Sequence, residues 1–68
     1  MVNSAKLKGR IVELGLTQAE IARNLKVAQP TINQKINNIR PMDLDEAEAL
    51  AGLLKIDKTD FAAYFFTS

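Results

Sequence analysis

Large apolar residues recur along this chain at intervals of three and four, and β-branched residues never alternate with polar ones over a strand's length. That spacing predicts helices throughout. Leu7, Ile11 and Leu14 define a first helix from about Ser4 to Leu14, stopped by Gly15. Thr17 followed by Glu20 forms a capping box, with Leu16 and Ile21 as the hydrophobic staple around it. The helix it opens carries Ile21, Ala22 and Leu25 on one face and ends near Lys26, about two turns on. A helix so short is not stable alone, so it must pack against neighbours such as Val27, Ile32 and Ile36. A third helix starts almost at once, with Pro30 in its first turn, where the missing N–H costs nothing. Asn37, Asn38 and Pro41 mark a loop; Asp43 and Glu46 then make a second capping box for a helix carrying Leu44, Ala47, Leu50, Leu53 and Leu54. After Ile56 and Asp57, Thr59 is placed to cap a last short helix bearing Phe61, Tyr64, Phe65 and Phe66. One apolar stripe cannot turn four such aromatics toward a small core, so at least one is expected to stay exposed.

The pattern implies a single all-α domain over residues 1–68, a compact five-helix bundle. A domain of this size buries only about 60% of its unfolded surface, so its stability is marginal. There is no Cys and no His, which removes disulfides and zinc as reinforcement. The same absence, with no glycine-rich phosphate loop, argues against an enzyme, and capping already accounts for Asp43 and Glu46. No catalytic residue, metal, cofactor or small-molecule ligand is expected. No apolar run approaches a membrane span and Met1–Arg10 lacks a signal-peptide core, which predicts a cytoplasmic protein with no membrane partner.

The formal net charge of +1 hides an asymmetry. Up to Arg40, seven basic residues stand against two acidic ones, a net of +5; beyond it, two stand against six, a net of −4. One phosphate-facing and one solvent-facing side would suit that split. The third helix supplies matching chemistry. Apart from Ile32 and Ile36 its faces are Gln29, Thr31, Asn33, Gln34 and Lys35, polar but hardly charged. Amide side chains donate and accept at once and so match the N6 and N7 edge of adenine. Amide-rich faces also occur on ordinary solvated helices, and geometry in the groove is what separates the two cases.

Leu14 to Ala22, Val27, and Gln29-Pro30-Thr31-Ile32 together resemble the helix-turn-helix of phage Cro and repressor proteins. The likeness runs over nearly the whole chain, with 43–56 and the Phe61 segment similar to the fourth and fifth helices of that fold, and short prophage Cro-like regulators resemble it most. It implies a helix-turn-helix from about Thr17 to Asn38. In that family the Gln matching Gln18 holds a phosphate and early recognition-helix residues touch base edges, which here are Ala28, Gln29, Thr31, Asn33 and Gln34. Asn37 matches a phosphate-binding Asn, with Asn38, Lys35 and Arg40 near enough to assist. Asn37 and Asn38 are equally a helix-ending turn, a role compatible with phosphate contact, and Lys35 and Arg40 serve solubility equally well. The resemblance implies a transcriptional repressor acting by occupancy, bound as a homodimer to a palindromic duplex operator, with no separate effector domain. The rival reading is a protein-interaction module on the same fold.

Three positions depart from the family pattern. Ala28 stands where a capping Ser or Thr is usual, which costs about 1 kcal/mol. Lys26 occupies a turn position usually held by Gly. Ile11 and Ile36 replace a buried Arg and Glu pair with aliphatics, a change often neutral or stabilising. Phe61, Tyr64, Phe65 and Phe66 either cap the core or form a dimer contact.

Overall fold

The computed structural model describes residues 1–67. Its elements are α1 (Ser4–Glu13), α2 (Gln18–Leu25), α3 (Gln29–Ile36), α4 (Leu44–Leu53), a 3-10 turn (Lys58–Asp60) and α5 (Phe61–Phe65), with no strand among the described residues. The radius of gyration is 10.6 Å, against about 11 Å for a compact chain of this length. Among the described residues, no helix is long and apolar enough to cross a membrane.

The helix starts follow local chemistry. Thr17 and Asp43 each accept the N–H of the Glu three residues on, and each Glu returns a carboxylate oxygen to the cap's own N–H. Asn3 caps α1 by accepting from Lys6 N–H. Ala28 gives α3 no side-chain cap, as its chemistry requires. Thr59 does not cap α5: it lies inside the 3-10 turn, which runs directly into the helix, and no side chain caps either.

All four longer helices stop in the same way. An amide just past the helix donates five residues back, Leu16 to Ile11 O, Val27 to Ala22 O, Ile39 to Gln34 O and Ile56 to Ala51 O, at 2.8–3.0 Å. Each stop needs a left-handed residue one position earlier, and these are Gly15 (φ 70°), Lys26 (φ 58°), Asn38 (φ 62°) and Lys55 (φ 55°). For a residue with a Cβ that conformation costs roughly 1–2 kcal/mol, less for Asn. Lys26→Gly is therefore expected to gain about 0.5–1 kcal/mol even after glycine's larger entropy loss. A thermal melt should show it as a rise of a few degrees; a lower midpoint would mean that the lysine side chain makes a stabilising contact.

The core gathers Leu7 and Ile11 from α1, Ile21 and Ala22 from α2, Ile32 and Ile36 from α3, Ala47, Leu50 and Ala51 from α4, with Leu54, Phe65 and Val2. No polar or charged residue is buried among the described residues, so Ile11 and Ile36 fill their sites by packing alone. α2 packs most extensively on α3 and next on α4, while α1 lies against α3 and α5. Leu44, read from the sequence as part of the apolar side of α4, is exposed at the first position of that helix.

The aromatic tail divides. Phe65 enters the core, Phe61 and Tyr64 are half-buried, and Phe66 is exposed, as the crowding of four aromatics on one stripe requires. Phe61 stacks on Phe65 with centroids 4.7 Å apart and meets Phe66 edge-on at 5.5 Å, while the Lys6 ammonium lies 4.9 Å from the Tyr64 ring centre.

Candidate functional site

Burial of Ile32 and Ile36 turns the other side of α3 outward. Gln29 and Asn33 are exposed, Thr31 and Gln34 are half-exposed, and Gln29, Pro30, Asn33 and Gln34 line a shallow surface depression. Ala28 is exposed immediately ahead of them. All five residues expected to read bases thus lie on one helix and its lead-in, and no carboxylate occurs in α3.

Hydrogen bonding gives these amides different tasks. Asn33 Nδ2 donates to Gln18 Oε1 at 2.9 Å, bridging α3 to the first residue of α2. Asn37 Nδ2 donates both to Asn33 Oδ1 at 2.9 Å and to Asn33 O at 2.8 Å. Each polar atom of the Asn33 amide thus makes one hydrogen bond, and Asn33 braces α2 against α3. The two Nδ2 protons of Asn37 are both used, leaving only its carbonyl, an acceptor that a phosphate cannot use. Gln18 is affected in the opposite sense. Its Oε1 accepts from Asn33, and its Nε2 protons have no acceptor among the described residues, so both donors remain available. Gln29 and Gln34 make no side-chain hydrogen bond among the described residues.

Two further residues assigned to phosphate are placed elsewhere. Lys35 pairs with Glu46 on α4 in a largely buried contact, and the same Glu46 carboxylate closes the capping box of α4. The amine is thereby withdrawn from the outer face. Asn38 is a structural pin. Its Oδ1 accepts Val2 N–H at 2.8 Å, and its Nδ2 donates to Val2 O at 2.9 Å and Ser4 Oγ at 3.2 Å. One side chain thus satisfies both backbone groups of buried Val2, as a neighbouring strand would. Ser4 Oγ adds a donation to Ile36 O at 2.6 Å. Sequence reasoning missed this role; the available signal was an Asn just past a helix end, the residue best suited after Gly to the left-handed region.

The basic half of the chain divides too. Arg10 turns inward, donating from Nε to Leu54 O at 2.9 Å and from a terminal nitrogen to Lys55 O at 3.4 Å, where it satisfies the end of α4, and it also pairs with Glu13. Lys8, Arg23, Lys26 and Arg40 are exposed and form no salt bridge among the described residues. Arg40 is the remaining cation from the phosphate set, just beyond the end of α3. Gln18 and Arg40 therefore flank the polar face of α3 from its two sides in the chain, one opening α2 and one following α3.

No curated protein and no solved structure matches the chain. A family model described as "Protein of unknown function (DUF739)" matches residues 2–68, and the chain belongs to that family.

Proposed function

We propose that this chain is a sequence-specific transcriptional regulator that reads duplex DNA with α3. In this reading α2 and α3 form a helix-turn-helix, α3 lies in the major groove, and two copies bind a palindromic operator, repressing by occupying a promoter. The observation that carries it is the outer face of α3. An uncharged row of Gln29, Thr31 and Gln34 is braced against α2 through Asn33 and is free of carboxylates that would repel phosphate.

The readers in this arrangement are Gln29 and Gln34, whose amides are unengaged and can bond adenine edges bidentately, with Thr31 and the Ala28 methyl suited to a thymine methyl. Gln18, whose Nε2 protons are unengaged, suits a phosphate oxygen, and Arg40 supplies charge. The start of α3 lacks a side-chain cap, which leaves its first amides available to an anion.

Selection of bound duplexes from a random pool, followed by titration of the winner at two salt concentrations, tests the reading. A palindromic consensus is expected, with the logarithm of affinity falling by about 0.9 per phosphate neutralised for each tenfold rise in salt. Gln29→Ala and Gln34→Ala should each lose discrimination at one base pair, about 1–3 kcal/mol. Gln18→Ala should weaken all sequences alike. No enrichment from the pool, or a consensus unchanged by both glutamine variants, would refute it.

A further inference from the structure

The one charged residue of α3 is Lys35, and a carboxylate from another helix neutralises it. Its ammonium pairs with Glu46 of α4, and the two side chains are only 15% and 19% exposed. Of the two ion pairs among the described residues, this is the one that joins two helices; Arg10 and Glu13 share α1. Glu46 divides its oxygens. Oε1 accepts the Asp43 N–H at 3.1 Å and closes the capping box, while Oε2 takes Lys35. Capping does not require the second contact. Glu20, the matching residue of the other capping box, spends Oε1 on Thr17 N–H and Oγ1 and pairs with no cation among the described residues.

Lys35 lies one turn beyond Thr31 and next to Gln34, on the side of α3 that faces α4. A helix with its side chains is about 10–12 Å across, and the major groove is about 12 Å wide. A helix that points its middle at the bases therefore lays its flanks against the walls of the groove. Those walls are phosphate backbone. A lysine on the flank meets a phosphate there unless another group holds it, and Glu46 is that group.

We infer that Glu46 sets the strength of DNA binding through Lys35, by holding the ammonium of α3 off the phosphate backbone. Phosphate contacts add affinity without distinguishing sequences. Withholding one lowers affinity for every duplex alike and leaves the choice of sequence to the neutral amides of Gln29 and Gln34. Glu46 acts through Lys35 and is a positioning residue. The inference rests on the DNA-binding reading and deepens it, turning the salt bridge from a packing detail into a control on affinity.

Titration of a random-sequence duplex and of the selected duplex, each at several salt concentrations, tests it. Glu46→Gln keeps the capping box, since glutamine accepts the cap N–H as glutamate does, and it frees Lys35. At about 0.1 M salt this variant should bind both duplexes about three- to tenfold more tightly than wild type, with a salt slope steeper by about 0.9, one further phosphate. Damage to the fold would lower affinity instead, so a gain reports the release of Lys35. The double variant Lys35→Met, Glu46→Gln should bind like wild type. Lys35→Met alone, with the capping box intact, should show a slope no shallower than wild type. A Glu46→Gln slope equal to wild type, a gain that survives in the double variant, or a slope shallower by about 0.9 in Lys35→Met overturns the inference. A selected consensus without the gain sinks this inference and leaves the DNA reading standing. The gain on random duplex without any selected consensus does the reverse. Failure of wild type and Glu46→Gln to bind any duplex overturns both.

Discussion

Ile36→Ala is expected to leave a large fraction of the protein unfolded at 37 °C. Ile36 is fully buried on an eight-residue helix that has no side-chain cap, so packing must supply most of what holds α3. Truncating a buried Ile to Ala costs about 2–5 kcal/mol. A domain of this size has only about 3–10 kcal/mol in total. At about 4–8 °C per kcal/mol, the midpoint should fall by at least about 8 °C. Ile36→Val, which removes one methyl, should cost only about 0.5–1.5 kcal/mol. Thermal melts by circular dichroism read both. An Ile36→Ala midpoint within two or three degrees of wild type would show that this side chain does not hold α3 to the core. The consequence for function is direct: the polar face of α3 is presented outward only while Ile32 and Ile36 are held inward.

Asn38→Ala is the second large effect, about 2–4 kcal/mol. It removes three hydrogen bonds, two of them to the backbone of buried Val2, and stranding such groups costs about 1–3 kcal/mol. It also puts an alanine at φ 62°, which adds about 1 kcal/mol over asparagine. Asn38→Gly separates the two causes, since it relieves the backbone and still loses the bonds. Its midpoint should lie between those of wild type and Asn38→Ala. Equal midpoints for the glycine variant and the wild type would mean that the pin to Val2 is worth no more than the backbone relief that glycine brings at φ 62°. If Asn38 acts only as this pin, DNA affinity corrected for the folded fraction should be unchanged in both variants, whereas Gln18→Ala should lower affinity and leave the midpoint near wild type.

The positions that the sequence made legible are those whose partners lie within one helical turn. Both capping boxes, the stop at Gly15, the early Pro30 and the inward Ile32 and Ile36 are local statements, and the structure repeats them. The outward amide face of α3 follows from the same periodicity. Thr59 was misplaced because a 3-10 turn leading into α5 has no signature that distinguishes it from a cap.

What the residues alone determined is therefore the helices, their ends and the side each one buries, because i to i+3 and i+4 neighbours and backbone propensities act within a few residues. Tertiary structure alone decided which polar side chains remain free. Asn38 finds Val2 36 residues away, Asn33 finds Gln18 at 15, and Lys35 finds Glu46 at 11. Each was a candidate for DNA by its residue type, and each is engaged inside the protein because packing brings a partner within hydrogen-bonding distance. The same holds for Ile39 and Leu44: their apolar character was plain in the chain, but only the arrangement of α3, α4 and the tail leaves them uncovered beside Phe66.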